Sequence, residues 1–379
     1  MRPLPYALPF LALATVPLGF VLGGAWAWLT VAVMPVCLTA LDGVLGDDQA
    51  RPPGRDLIGY RLLPWLYIPL QLAVTAWALW AASRDTTTLV QALGLTASVG
   101  ATTGVFGILA AHEMVHSRRR AERGLGLILL ASIGYMHFRI AHIHGHHRRA
   151  ATFEDSTTAR RGESAYGFIG RAVAGQIREG WTFEAARLAR QGLGPWRLSN
   201  RMIQYAGVEA VVFAAAALFL GRHVWVFVAE AVLSVVLLEL FNYVAHYGLR
   251  RGRLEGGGLE RMGLAHSWNT SRRMNNWSLF NMGRHSDHHR FGARHYQCLE
   301  ALPDSPQLPT GYAGTIFLAL IPPLWRRVMD PRVDEWMAES AVLRRATVRE
   351  GPAIVRQASP ARGVAAIRQG NRVNGFPAN

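Results

Sequence analysis

Nine histidines in four short stretches are the residues of this chain that call for chemistry. His112-Glu113-Met114-Val115-His116 closes an apolar run, and His142-Ile143-His144-Gly145-His146-His147 lies in a polar one. His246 stands alone in Asn242-Tyr243-Val244-Ala245-His246-Tyr247-Gly248, and His285-Ser286-Asp287-His288-His289 carries the last three. Residues four apart share a face of an α-helix, so His112 with His116, and His142 with His146, are placed to share a metal. His285, His288 and His289 have the i, i+3, i+4 spacing, while His144 points away from the shared face and is left out. Each stretch alone is a weak signal. HExxH also describes zinc peptidases, whose intervening glutamate is the general base. A histidine at a membrane helix end can also serve as an interfacial anchor or local hydrogen-bonding group, the role expected of His137, His223, His266 and His295. Taken together the groups say more: a peptidase would use three ligands and leave six histidines unexplained, whereas two metals need roughly eight to ten. Neutral imidazole suits iron, copper or zinc, and so nitrogen-rich a set beside a membrane points to a redox metal, iron.

The elements that must position these groups are apolar. Half of the 379 residues are hydrophobic and mean hydropathy is +0.13. A hydrocarbon core of roughly 30 Å takes about 20 helical residues per crossing. Apolar runs at about 6–23, 25–45, 62–83, 88–115, 208–220 and 224–246 predict six spans, with a weaker segment over 124–140 read as re-entrant or interfacial. The 40 basic residues, all arginine, outnumber 25 acids. Only Arg84 and Arg222 fall on one side of the six-span arrangement; by the positive-inside rule the other polar segments, the histidines and both termini are cytoplasmic. The expected fold is therefore all-α: a six-helix transmembrane bundle in the inner (plasma) membrane with a helical cytoplasmic cap over 117–201 and 248–336. Residues 1–336 form one membrane domain, and 337–379, with little apolar periodicity, read as a disordered tail. The arginines are scattered between apolar segments without a recognition-helix, RRM or zinc-finger pattern, which excludes a nucleic-acid reading. Cys37 and Cys298 are too far apart in sequence for a disulfide framework or thiolate metal site.

HEMVH, HIHGHHRRAATFEDSTTARRGES, NYVAHYG and GRHSDHHRFGARHYQCLEALPDSPQLPTGYAG resemble the histidine boxes of the integral-membrane di-iron alkane 1-monooxygenases (AlkB type), within the membrane fatty acid desaturase and hydroxylase superfamily. The likeness runs from DGVLGDD at Asp42 to MDPRV at Met329–Val333. It implies two iron ions held by His112, His116, His142, His146, His147, His246, His285, His288 and His289. It further implies dioxygen as co-substrate, hydroxylation of a terminal carbon of an apolar substrate drawn from the membrane lipid, and electrons from rubredoxin or a ferredoxin through a reductase. Two positions depart from the family pattern: Ala141 and Ala245 stand where glutamate is usual, which suggests a divergent branch with altered substrate, rate or reaction outcome.

Nine neutral ligands leave a cationic core, so nearby acids are expected to help balance it. Glu113, Asp155 and Asp287 are the candidate catalytic acids, with Glu154 beside them. Asp155 and Asp287 are expected to accept from the free N–H of a ligand imidazole. Trp26, Trp28, Trp65, Trp77 and Trp80 are bulky enough to set substrate depth, or belong to the interfacial belt. Arg272, Arg273, Arg290 and Arg294 would steer an acidic electron carrier or contact anionic lipid. The rival readings are a desaturase, an aromatic-methyl or terpenoid hydroxylase of the same superfamily, and a histidine-rich metal transporter or sensor. For the transporter, Glu209, Glu230 and Glu239 would have to form a path through the membrane.

Overall fold

The computed structural model describes residues 3–49, 57–252 and 258–350, the last ten by backbone only. Among these there is no strand, only isolated bridges joining Asp47 to Arg272 and Asn269 to Gln307. Apolar helices α1 (Leu8–Leu22), α2 (Leu29–Leu45) and α3 (Ile58–Ala82) come first. They tolerate internal Pro17, Pro35, Pro64 and Pro69, as helices in lipid do when neighbours satisfy the freed carbonyls. Helix α4 (Leu89–Thr102) opens on a capping box at Thr88 and Gln91. It runs through a π-helical segment, Thr103–Gly107, into α5 (Ile108–His116). Then come α6 (Arg120–Ser132) and α7 (Phe138–Ile140), a second π-helical segment over Ala141–His146, α8 (His147–Arg149) and the long α9 (Ala165–Ala189). Helices α10 (Arg201–Leu220) and α11 (Val224–His246) return to apolar composition. The short α12 (Arg273–Ser278) and α13 (His285–Arg290), then α14 (Tyr312–Ala319) and α15 (Pro322–Glu350), complete the chain.

Five helical stretches are long and apolar enough to cross a bilayer: Leu4–Leu22, Gly24–Leu45, Ile58–Ala82, Leu89–His116 and Arg201–His246. The last, 46 residues, is twice the usual length, and it folds back at Gly221, whose φ of 54° only glycine adopts freely. Its halves are α10 and α11, so the expected run at 208–220 is the C-terminal part of a helix that starts at Arg201. Gly100 and Gly104 on one face of this bundle let α4 approach α11 closely. A Cβ at Gly104 would lie 2.9 Å from Ser234 Cα and 3.0 Å from Leu237 Cβ.

Of the stretch 337–379 expected as a disordered tail, 337–350 is the C-terminal part of helix α15, and 351–379 lies outside the described residues. The helix is anchored upstream by fully buried Trp325, Met329 and Val333, which recur at helical spacing along its inner face. Gly248 is the reason this face can dock: its φ is 72°, and a Cβ there would meet Val333 Cγ1 at 2.8 Å. Tyr247 beside it donates to Asp330 at 2.7 Å and packs on Trp325 with ring centroids 5.0 Å apart.

Candidate metal centre

The second π-helical segment decides the architecture of the centre. Widening the helix to i→i+5 turns the rings away from α-helical register, so His142 and His146 do not share a metal as a spacing of four predicts. His142 instead joins His147, their Nε2 atoms 3.0 Å apart. His146 faces the other way, its ring stacked 5.2 Å from that of His142. Two groups result, each with its ligand atoms within 4.8 Å of one another: His112, His116, His142, His147 and His288, and separately His146, His246, His285 and His289. The fourth stretch is also divided. His285 and His289, four apart on α13, serve the group of four, and His288 serves the group of five. His144 belongs to neither and lies against Phe183.

These rings point Nε2 inward. In the group of five, His142 lies 2.9 Å from His112 and 3.0 Å from His116, and His147 lies 3.2 Å from His116. In the group of four, His246, His285 and His289 form a triangle with every side 3.1 Å. Three neutral imidazoles cannot each donate and accept around such a triangle through one nitrogen apiece. A metal at about 2.1 Å from each nitrogen puts neighbouring ligands at right angles about 3.0 Å apart. Nε2 of His146 and of His288 are buried and have no hydrogen-bond partner, as atoms aimed at a cation would be. The residues present therefore fit two metal ions. Burial first, and then the facing imidazoles, hold His142, His147, His285, His288 and His289 well below the usual histidine range, so these rings are neutral donors at pH 7.

Each group is fixed from behind. Asp155 Oδ2 lies 2.9 Å from His146 Nδ1 and also accepts from the Thr158 hydroxyl. Its Oδ1 accepts from Thr157, backbone and hydroxyl. Burial would raise Asp155, but the His146 ring beside it and these donors outweigh burial and hold the carboxyl well below its usual range. His246 Nδ1 faces the His266 carbonyl at 3.2 Å. Phe138 stacks on His142, centroids 4.7 Å apart and planes 19° from parallel. Beneath His116, buried Glu122 gathers Arg61, Ser117 and Trp65, tying α3 to α6. Under the fourth stretch, buried Arg284 donates to Leu299 O at 2.6 Å and Asp48 O at 3.2 Å. Asn269 Oδ1 accepts from Ser286 N, and Asp42 accepts from Asn275 N, each at 2.8 Å.

Of the three candidate acids, Asp155 alone touches a ring of the two histidine groups. Asp287 accepts instead from Arg294 at 2.7 Å and Glu300 N at 3.0 Å, because α13 turns its side chain away from the rings. Burial raises its pKa in spite of those donors. Glu113 bonds His295 Nδ1 at 2.9 Å and Tyr296 N, joining α5 to the segment after α13. Ala141 and Ala245 are buried methyls next to His142 and His246. Trp26 and Trp80 are exposed, Trp77 packs on Phe20, Trp28 donates to Val90 O, and Trp65 donates to buried Glu122. The three carboxylates on α10 and α11 each bond different partners. Glu209 accepts from Met136 N, Glu230 from Ser234, and Glu239 from Tyr135 and Gln176. Thr157, Thr158, Phe138 and the His266 carbonyl were not legible from sequence; only the Thr157-Thr158 pair, close after a candidate acid, offered any signal.

Residues 86–318 match the fatty acid desaturase family model. The chain is 39% identical over 326 residues to alkane 1-monooxygenase 2 of Pseudomonas aeruginosa, covering 83% of this chain and 86% of that one. It is 34% identical over 327 residues to alkane 1-monooxygenase of Acinetobacter baylyi, covering 84% and 78%. To the xylene/toluene monooxygenase hydroxylase component XylM of Pseudomonas putida it is 30% identical over 328 residues, covering 84% and 86%. With two histidine groups converging at the ends of apolar helices, the chain belongs to the fatty acid desaturase family, among its alkane 1-monooxygenase members.

Proposed function

We propose that this membrane protein hydroxylates the terminal carbon of an alkane or alkyl chain, using dioxygen and two iron ions held by the nine histidines. The observation that carries the reading is the division of nine imidazoles, seven buried and two half-buried, into adjacent groups of five and four at one end of an apolar bundle. Bound iron would supply the oxygen activation. One oxygen atom enters a C–H bond and the other leaves as water, consuming two electrons and two protons. The chain's own residues supply ligands and exclude water. Asp155 keeps His146 in the tautomer that leaves Nε2 free for metal. Substrate reaches the centre from the bilayer, since the spans converge on it. Electrons come from rubredoxin or a ferredoxin with its reductase. Arginine distribution supports an inner-membrane location with the centre and both termini cytoplasmic and with α10 and α11 crossing separately.

A second reading, hydroxylation of an aromatic methyl group, is favoured by the likeness to XylM. Product analysis separates the readings. The full chain in lipid vesicles with rubredoxin, reductase and ¹⁸O₂ is given alkanes of several lengths and p-xylene. A primary alkanol carrying ¹⁸O is expected. Label only in a benzylic alcohol would establish the second reading, and an unlabelled alkene would overturn both in favour of desaturation.

A further inference from the structure

The two histidine groups are not equally covered. All four rings of one are buried, whereas His116 and His147 of the other are half-buried. Over that edge lies Gly292, where a Cβ would stand 3.2 Å from His147 Cε1 and 3.7 Å from His116 Cε1. The Gly292 backbone therefore lies directly against both ring edges. Next to it Phe291 is 39% exposed, unusual for so large an apolar ring on a polar segment. Two guanidinium groups flank that ring, Arg290 at 4.9 Å and Arg294 at 4.0 Å from its centroid. Exposed Arg118, Arg119 and Arg120 follow His116, and exposed Arg148 follows His147. The acids of this rim are already engaged: Glu113 with His295, and Asp287 and Glu300 with Arg294. An aromatic centre inside a basic border is the complement of a partner with an acidic border.

We propose that Phe291 and the arginines around it, Arg118, Arg148 and Arg290, form the docking face for a small acidic one-electron carrier protein, and that electrons enter the centre at the five-histidine group across Gly292. This rests on the reading of the histidine groups as a redox metal centre. Each encounter oxidises the carrier by one electron and reduces the centre by one, so a turnover needs two. The charges draw the carrier in, and the phenyl ring fixes its seat. The missing side chain at Gly292 keeps the distance from carrier to ligand ring short.

The test is stopped-flow reduction of the iron-loaded full chain in nanodiscs of zwitterionic lipid, with reduced rubredoxin as one reductant and dithionite as the other. R118E/R148E should lower the second-order rate constant with rubredoxin by about tenfold and flatten its dependence on salt. F291A should lower it several-fold with the salt dependence retained. Dithionite should reduce both variants at the wild-type rate. R326E/R327E, the same charge change on exposed positions of α15, should match wild type. Rubredoxin rates that are unchanged in R118E/R148E and F291A, or that fall equally in R326E/R327E, would overturn the docking face. So would an effect that appears only when anionic lipid is present, which would make the border a lipid contact. A wild-type protein whose metal dithionite cannot reduce would instead overturn the redox reading beneath it.

Discussion

Asp155 shows what a single residue contributes to the centre. It is 1% exposed and shares two oxygens among His146, Thr157 and Thr158. Asp155→Asn keeps the shape but removes the charge that orients the imidazole. Metal affinity should fall by about 10- to 100-fold in a chelator competition, as when the carboxylate partner of a ligand histidine is lost. Affinity equal to wild type would mean that Thr157 alone orients His146. His144 supplies the control: His144→Ala should retain full metal, whereas His288→Ala should lose the metal of the five-histidine group, both read by elemental analysis. The identities of the nine rings were legible in sequence through their clustering and family resemblance. Their partners were less so: Asp155 and Asp287 look alike as acids beside histidines, and only the direction in which α13 faces separates them.

At the scale of elements, the π-helical segment Ala141–His146 sorts the histidines between the two groups, and sequence spacing read as α-helix cannot reveal it. The α-helical stretches were legible: His112 and His116 on α5 share a group, as do His285 and His289 on α13. The motifs that accompany the histidines have a packing reason. Gly248 and Tyr247 receive Val333 and Asp330 of α15, and Asp42 and Asp48 brace the segment leading into α13. Two predictions belong here. Gly104→Val should force α11 outward and carry His246 with it, costing about 1–3 kcal/mol and lowering both the thermal midpoint and the metal content of the four-histidine group. Normal metal content would show that α11 is not set by its approach to α4. Glu122→Ala should cost about 1–3 kcal/mol, since it removes the buried carboxylate that pairs Arg61 and accepts from Ser117 and Trp65. A thermal midpoint within a degree of wild type would contradict the bracing role assigned to that pair.

At the scale of the whole molecule, apolar helices deliver His112, His116 and His246 to one end, and the polar segments between and after them bring the other six rings to the same place. Hydropathy made the spans legible, but the substrate's path was not. Of the tryptophans that looked bulky enough to limit depth, Trp26 and Trp80 are exposed, while Trp65 and Trp77 are spent on Glu122 and Phe20. Everything proposed for activity depends on two metals being held close together by separate ligand groups. Metal counting by elemental analysis on purified wild type, His285→Ala and His288→Ala tests this most directly. Two irons per wild-type chain are predicted, with one retained in each variant because each ring serves a different group. Wild type with one iron or none, or variants that each lose both ions or neither, would contradict the account.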